Sequence, residues 1–310
     1  MIAITDRSVL LLATNKQEYL QFALNCADSV RLHNPDLPIF IATNIKIDSH
    51  TSRNDIKFLN VSEEIAELYL EAKLHLNDFL QTEETLFIDS DCLCYGDLTP
   101  IFEVCGDEDV TVIGKAIPIE GFWTGDGVRL ARETLGIGYS MLFNGGFYYI
   151  KRSELTDQIF SAAREISGNY DAYGFHRIQN NWKNDEISFQ IALAKYHQRP
   201  IEDDGRYMTD LFTDPRPVLN VLKGKRRLRN ITRTSDRNRP KYPPVYSPVI
   251  LHFGGNNIRS YPYIAQSRLL KLHRNGVPAG LASIIVNIFM HIPYKTYHWL
   301  RSLTGKFKKS

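Results

Sequence analysis

The sequence is short of cysteine, of long apolar runs and, beyond Asp236, of acidic residues, and each shortage excludes a class of protein. Four cysteines in 310 residues are too few for a disulfide scaffold, and only Cys92 and Cys94 form a close pair. Buried thiols are therefore a better interpretation than a zinc site. With 43% hydrophobic and 23% charged residues, the chain is neither disordered nor a coiled coil.

No apolar run reaches the roughly 18 residues that are needed to span a bilayer. The longest, residues 281–292, contains three polar residues and stops at Pro293. At the start of the sequence, Asp6 and Arg7 interrupt the apolar residues, so we expect no signal peptide. We therefore predict a cytoplasmic protein that can also lie on the inner face of the membrane.

The net charge of +2 conceals a strong asymmetry between the two parts of the chain. Residues 223–310 contain 18 lysines and arginines against one acid, whereas residues 1–222 contain 19 against 34 acids. This asymmetry indicates an anionic partner for the C-terminal part, and the alternative is a solvated basic face. The basic loop 223–241 has few aromatic neighbours and no recognised nucleic-acid motif, so we expect no nucleic-acid partner.

Apolar strands alternate with amphipathic helices through the first half of the sequence, which predicts an α/β fold. The expected central sheet is mainly parallel and has helices on both faces. Ligands bind such sheets at the carboxyl ends of the strands. The predicted strands are residues 8–14, 38–43, 57–61, 85–88, 140–150 and 249–253, and the predicted helices are residues 18–32, 62–79 and 186–196.

Three groups of polar residues lie next to predicted strands or helices. Asp89 and Asp91 flank Ser90 after an apolar strand, so both carboxylates can reach one Mn²⁺ or Mg²⁺ ion. The alternative is that the three residues only form an Asx turn that ends the strand. His252 ends another strand and is either the third metal ligand or a packed histidine. The loop Asn144, Gly145, Gly146 suits hydroxyl recognition or a β-bulge.

The fourth group, Asn184-Asp185-Glu186, begins a predicted helix. Acidic residues there complement the helix dipole. The functional alternative is a carboxylate pair that faces a sugar or its anomeric centre.

Taken in order, these motifs resemble one family over residues 8–260. A strand ends in Ala13-Thr14-Asn15, Lys73 precedes the apolar strand and its two aspartates, and His252 is followed by Phe253-Gly254-Gly255. The chain is similar to GT-A glycosyltransferases of the glycogenin and bacterial lipopolysaccharide galactosyltransferase type, glycosyltransferase family 8 and its relatives. The resemblance implies a Rossmann-like nucleotide-diphospho-sugar transferase fold, a Mn²⁺ or Mg²⁺ cofactor and a nucleotide-sugar donor.

The resemblance also implies a role for each matching residue. The chain departs from the family pattern at two places. It has Glu186 where the family often has Gln. It also lacks the family's Lys-Pro-Trp motif, and Arg259, which lies near that place, is expected to contact the donor phosphates instead. The implied metal ligands are Asp89, Asp91 and His252, the implied nucleotide-sugar contacts are Ala13, Thr14, Asn15, Tyr19, Lys73, Ser90, Asn144, Gly145, Gly146, Gly255 and Arg259, and the implied catalytic residues are Glu186 and Asp185.

The resemblance favours transfer of a hexose from a UDP-sugar to a glycan or lipid-linked acceptor with retention of configuration. Glu186 is the candidate nucleophile or cation stabiliser, and the sequence does not separate double displacement from same-face attack. One alternative is a haloacid-dehalogenase-like phosphatase, which also places two aspartates after an apolar strand. A second alternative is a basic nucleic-acid-binding protein without enzymatic activity.

The last part of the sequence is expected to form a separate extension. We predict a catalytic domain over residues 1–260, including the basic loop, and a basic amphipathic C-terminal extension over residues 261–310. Apolar residues 281–290 are followed by interleaved Trp, Tyr and Lys, a pattern that favours an anionic membrane surface. The alternative is a helix that packs its apolar face on the catalytic domain.

Overall fold

The computed structural model describes residues 6–48, 53–121, 126–178, 181–210, 214, 217–230 and 242–306. Strands and helices alternate, as predicted. The strands are β1 (Arg7–Leu12), β2 (Ile39–Thr43), β3 (Lys57–Asn60), β4 (Glu84–Ile88), β5 (Cys92–Cys94), β6 (Val110–Thr111), β7 (Ile113–Pro118), β8 (Tyr139–Phe143), β9 (Phe147–Lys151), β10 (Ile201–Glu202), β11 (Met208–Asp210), β12 (Val218–Asn220), β13 (Lys225–Arg229), β14 (Val245–Tyr246) and β15 (Ile250–His252).

Helices cover the sheets and form the end of the described chain. The α-helices are α1 (Gln17–His33), α2 (Glu63–Ala66), α3 (Thr99–Cys105), α4 (Asp126–Arg129), α5 (Glu154–Gly168), α6 (Asp185–Lys195), α7 (Tyr261–Arg274), α8 (Ala279–Val286) and α9 (Ile292–Lys306). Short 3₁₀ helices span Tyr69–Phe79, Ile119–Gly121, Val221–Lys223 and Gly255–Arg259, and π-helical turns span Leu130–Thr134 and Asn287–His291.

The central sheet has the strand order β3-β2-β1-β4-β9-β6. Strands β3, β2, β1 and β4 are parallel to one another. Strand β9 is antiparallel to its neighbours β4 and β6, so the predicted mainly parallel sheet is confirmed. Alternate residues of each strand enter different hydrophobic clusters: Leu10 and Phe87 lie on one face, Leu11 and Leu86 on the other. Burial on both faces explains why these strands are almost wholly apolar.

A small second sheet, β11-β15-β5, determines the position of the expected metal ligands. Strand β15 is antiparallel to β5 and parallel to β11. This register places His252 opposite Cys92 on one side and opposite Asp210 on the other. Residues far apart in sequence therefore meet beside the carboxyl end of β4.

One predicted element differs from the structure. The helix expected over residues 62–79 begins as predicted, with Ser62 as N-cap, but α2 ends at Ala66. Tyr69 has a φ of 54°, which interrupts the α-helix, and its ring stacks on Trp182. The strand-like stretch 140–150, which two glycines break in the sequence, forms two strands of different sheets, because β8 pairs with β7 whereas β9 pairs with β4 and β6.

The C-terminal helices pack on the rest of the molecule through α7 and α8. Asn25 of α1 donates a hydrogen bond to the Tyr263 hydroxyl across 3.2 Å, and Ala282 and Val286 of α8 are buried in a third hydrophobic cluster. No helix among the described residues is both long and apolar enough to cross a membrane. Residues 231–241 of the predicted basic loop and the terminal residues Lys308 and Lys309 lie outside the described residues.

Candidate active site

The two aspartates predicted to bind metal lie in a turn between β4 and β5. The Asp89 amide donates to the Gly146 carbonyl across 2.9 Å, and the Cys92 amide donates to the Asp89 carbonyl across 3.0 Å. Ser90 is half-buried between the two aspartates. The turn is therefore fixed at the end of the central sheet, as the sequence predicts.

His252 is held between two carboxylates. Its Nε2 atom is 3.1 Å from Asp91 Oδ1, and its Nδ1 atom is 2.7 Å from Asp210 Oδ1. Burial by itself lowers the pKa of His252, but the charge of Asp91 and the hydrogen bond to Asp210 outweigh burial and raise it well above its usual value. Asp91, Asp210 and His252 form what we call the carboxylate–histidine cluster.

Asp210 is a member of this cluster that the sequence analysis missed. It is the last residue of β11, which lies parallel to β15 with Asp210 opposite His252. The available signal was an acidic residue at the end of a short strand, the same signal that pointed to Asp89 and Asp91. The register between β11 and β15, which gives that signal its meaning, is not visible in the sequence.

Asp89 contacts Lys73 beside this cluster. Lys73 Nζ donates to Asp89 Oδ2 across 2.7 Å and to the Gly145 carbonyl across 2.9 Å, and it lies 3.9 Å from Asp185 Oδ2. Burial lowers the pKa of Lys73, but the charges of Asp89 and Asp185 outweigh this and raise it, so the ammonium stays charged. Lys73 thus lies at the site, as expected, and holds an aspartate that was expected to bind metal.

The donor atoms of the cluster suit a hard divalent cation. Among the described residues, ligating atoms of Asp91, Cys92 and His252 lie within 4.8 Å of one another. Burial raises the pKa of Cys92 well above its usual value, so its sulfur is a neutral thiol and a poor ligand for Mn²⁺ or Mg²⁺. One carboxylate and one imidazole backed by Asp210 fit such an ion, since a ligating histidine commonly donates its other N–H to a carboxylate.

The loop 144–146 is a turn that connects strands of two different sheets, which excludes the β-bulge alternative. The Asn144 carboxamide accepts from the Gly146 amide across 2.8 Å. A Cβ atom on Gly146 would lie 2.8 Å from Met208 Cε and 3.3 Å from His252 Nδ1. A larger residue at position 146 would therefore displace the side chains of Met208, Asn144 or His252, because the loop backbone lies directly against the cluster.

The two candidate catalytic acids lie at the start of α6, on the other side of this loop. Asn184 caps the helix, and Glu186 Oε1 accepts a 2.7 Å hydrogen bond from the Gly145 amide. Asp185 is buried, and its Oδ2 atom has no hydrogen-bond partner among the described residues. Burial raises the pKa of Asp185 to about 7 despite the opposing charge of Lys73.

The residues expected to hold the nucleotide follow β1. Ala13 and Thr14 are buried, whereas Asn15 is exposed, has a φ of 69° and donates from Nδ2 to the Ala66 carbonyl across 2.7 Å. Tyr19 on α1 is 37% exposed, which leaves part of its ring accessible.

Gly255 and Arg259 lie in the 3₁₀ helix after β15, and Gly255 has a φ of 60°. Arg259 is largely exposed and lies 3.1 Å from Glu18, the neighbour of Tyr19. The structure thus brings the start of α1 and the segment after His252 together.

Solved structures match this chain, whereas no protein-family model and no curated protein does. An active-site mutant of LgtC matches with 16% identity and a TM-score of 0.50, over 80% of this chain and 87% of that chain. The galactosyltransferase LgtC with donor and acceptor sugar analogues gives 16% identity and a TM-score of 0.49 over the same shares. The apo form of GlyE, a glycosyltransferase of Streptococcus pneumoniae TIGR4, matches with 18% identity and a TM-score of 0.44. The match covers 64% of this chain and 46% of GlyE.

The likeness to LgtC establishes the fold of this chain. It is the α/β GT-A fold that the motifs of the sequence implied, with a mainly parallel central sheet and helices on both faces.

Proposed function

We propose that the protein is a metal-dependent glycosyltransferase that moves a hexose from a UDP-sugar to a glycan or lipid-linked acceptor with retention of configuration. One observation carries this proposal above the others. Within a GT-A fold, Asp91 and His252 meet at the carboxyl end of β4, where ligands of such sheets bind. The loop 144–146 contacts both the aspartate turn, through the Asp89 amide, and the start of α6, through Glu186.

Asp91 and His252 would hold the cation, and Asp210 would orient the imidazole. When bound, Mn²⁺ or Mg²⁺ neutralises the donor diphosphate and stabilises the leaving nucleoside diphosphate. Lys73 stays charged beside Asp89 and keeps that carboxylate in place. These contacts support a site for a phosphorylated leaving group.

The acids at the start of α6 would act on the sugar. Glu186 is fixed by the Gly145 amide and supplies negative charge where an oxocarbenium-like centre develops. Asp185 is buried with its Oδ2 atom 3.9 Å from Lys73, so it would act on the sugar or acceptor hydroxyls only after a small movement that exposes this oxygen. Both retaining routes, through a glycosyl-enzyme or by same-face attack, are compatible with these positions.

The two alternatives receive less support. The fold, shared with LgtC, argues for a sugar transferase over a phosphatase. The nucleic-acid alternative rests on the basic loop, and residues 231–241 of that loop lie outside the described residues.

We also propose that the C-terminal extension, residues 261–310, places the protein on the inner face of an anionic membrane. Exposed apolar residues recur at intervals of three and four along α8 and the turn that follows it, at Leu281, Ile284 and Ile288. Trp299 of α9 is also exposed, and tryptophan favours the headgroup level of a bilayer. A surface of this kind would bring the enzyme to a lipid-linked acceptor.

Thermal unfolding with nucleotide sugars tests the proposed activity. We expect one UDP-sugar to raise the midpoint in the presence of Mn²⁺ and to have little effect after addition of EDTA, because a ligand that binds the native state stabilises it. Asp91→Asn should abolish the increase, whereas Asp107→Asn, at an exposed position, should retain it. Phosphate release from simple phosphoesters without any shift by nucleotide sugars would contradict the proposal and favour a phosphatase.

A further inference from the structure

A cavity that none of the residues of the carboxylate–histidine cluster lines is formed by β12, the start of β13 and the C-terminal helices. Its volume is about 380 Å³, and residues 217–225, α7, the π-helical turn 287–291 and α9 line it. The volume lies in the range of sites that bind small molecules. None of the residues assigned to the nucleotide sugar, the metal or catalysis lines it.

The charge of this cavity has one sign. Lys223, Lys225 and Lys295 of α9 line it, and none of the described lining residues is Asp or Glu. The sequence contains no acidic residue after Asp236, so α7, α8 and α9 carry no carboxylate that could neutralise these lysines. Three ammonium groups around one concave surface attract a multiply charged anion.

The wall of the cavity is aromatic. The rings of Tyr261 and Tyr294 stack with their centroids 3.7 Å apart and an interplanar angle of 10°, and the Tyr261 hydroxyl contacts the His291 ring. Below them the buried Gln266 accepts a 2.8 Å hydrogen bond from the Val221 amide, which ties α7 to the 3₁₀ helix that carries Lys223. The lysines and the aromatic wall are therefore parts of one preformed concave site.

We propose that this cavity binds an organic phosphate. The phosphate lies among Lys223, Lys225 and Lys295, and the carbon skeleton packs on the rings of Tyr261 and Tyr294. A free inorganic phosphate would use the lysines alone and leave the aromatic wall without a role. A phosphorylated saccharide and the headgroup of a phospholipid both have the proposed chemistry.

Titration calorimetry of the full chain with phenyl phosphate tests the site. Changing Lys223, Lys225 and Lys295 together to Gln should raise the Kd at least about tenfold, through loss of the charge-assisted contacts. The matched control changes Lys46, Lys195 and Lys271 to Gln, which alters the net charge equally at exposed positions outside this cavity, and should leave the Kd nearly unchanged. Equal weakening in both variants, or no binding by the wild-type protein, overturns the proposal.

A second variant tests the aromatic wall. Tyr294→Leu should weaken phenyl phosphate binding while leaving the weaker binding of inorganic phosphate unchanged, and its melting temperature establishes that α9 is still packed. Equal affinity of the wild-type protein for the two phosphates shows that the organic part is not recognised and overturns the proposal.

Competition distinguishes the two sources of the phosphate. Displacement of phenyl phosphate by glucose 1-phosphate identifies a soluble phosphorylated sugar as the ligand class. Displacement by phosphatidylcholine vesicles that contain phosphatidic acid, and not by phosphatidylcholine alone, identifies a lipid headgroup. Failure of both competitors overturns the proposal.

Discussion

The neighbours of each side chain decide what it can do in the candidate active site. Asp89 and Asp91 are two residues apart and have the same charge, yet Asp89 contacts Lys73 whereas Asp91 contacts His252. The sequence predicted both aspartates as equal metal ligands. The structure places an imidazole beside Asp91 and an ammonium group beside Asp89, and the metal-ligand role of both aspartates stays a prediction.

We predict that Asp91→Asn removes metal-dependent transfer while the fold stays intact. Asn has the same shape but no charge, so it would bind a divalent cation poorly beside His252. The transfer rate with saturating donor should fall by about 100-fold or more. Mn²⁺ titration and thermal unfolding of the variant check metal binding and folding. Full activity of the wild-type protein in EDTA would show that no metal is needed.

We predict that Glu186→Gln keeps donor binding and lowers turnover by about 100-fold. Gln can still accept the hydrogen bond from the Gly145 amide, so the loop 144–146 should keep its position. The lost negative charge would otherwise stabilise the developing positive charge of the sugar. Separate measurement of KM and kcat for the donor checks this, and a large rise in KM at constant kcat would make Glu186 a binding residue instead.

The sequence identified most single residues of the site but not all of their contacts. Short patterns predicted the turn 89–91, His252 and the start of α6, because each follows or begins a regular element. Asp210 was missed because its role depends on the pairing of β11 with β15, which joins residues about 40 positions apart. The pairing of Asp89 with Lys73 likewise depends on the 3₁₀ helix that carries the lysine.

At the scale of elements, the sequence predicted strands better than interruptions. Buried parallel strands are apolar throughout and end in polar residues, so β1, β2 and β4 were found within about two residues. The helix expected over residues 62–79 was wrong beyond Ala66, because its apolar residues are spaced almost equally well for a 3₁₀ helix. The left-handed backbone of Tyr69 has no signal in residue type.

The turn between β8 and β9 should not tolerate a side chain at Gly146. A methyl group there would press on Met208 and His252, and we expect Gly146→Ala to lower the free energy of unfolding by about 1–3 kcal/mol. Gly138→Ala is the matched control, because a Cβ atom at position 138 has no neighbour within 4 Å among the described residues. Urea unfolding of both variants measures the difference, and equal stability would show that the turn can shift.

The loop between β10 and β11 should make stability depend on pH. Burial raises the pKa of Asp203 to about 6, although Tyr242 donates a hydrogen bond to it across 2.9 Å. A raised pKa means that the folded protein binds the proton of this carboxyl group more tightly than the unfolded chain does. Asp203 therefore stabilises the fold fully at pH values below its unfolded-state pKa, and this stabilisation is lost as the pH rises through about 6.

Asp203→Asn should therefore stabilise the protein, relative to the wild type, by about 1 kcal/mol more at about pH 7.5 than at about pH 5. The comparison uses free energies of unfolding in urea at the two pH values. Glu103→Gln, at an exposed position of α3, serves as the control and should show no such difference. A constant effect of Asp203→Asn at both pH values would mean that the carboxyl group is not perturbed by the fold.

At the scale of the whole molecule, the acidic and basic parts of the sequence are both needed for each site. The acidic part forms the central sheet, but the candidate active site also takes His252 from the basic part, and the proposed phosphate cavity also takes residues 217–220 from the acidic part. The division at residue 260 stays a prediction. The structure nevertheless packs α7 on α1 and buries Ala282 and Val286 of α8, so the C-terminal residues do not form an independent tail.

The exposed face of the last helices provides the test of membrane binding. Deletion from residue 276 would also remove the buried residues of α8, so substitutions at exposed positions are sharper. Phe289 is 73% exposed and Trp299 is 60% exposed, and transfer of each ring from water into the interface would contribute about 1–3 kcal/mol. The matched control changes Val104 and Ile178, exposed apolar residues outside these helices, to Ser.

We predict that Phe289→Ser with Trp299→Ser lowers flotation on anionic vesicles by about tenfold or more, because the two rings together would contribute about 2–6 kcal/mol and about 1.4 kcal/mol already corresponds to a tenfold change in partitioning. Flotation of the control variant should equal that of the wild-type protein. Transfer to a small soluble acceptor should survive in both variants, since neither position lies at the carboxylate–histidine cluster. Equal flotation of both variants, or none by the wild-type protein, would contradict membrane binding through this face.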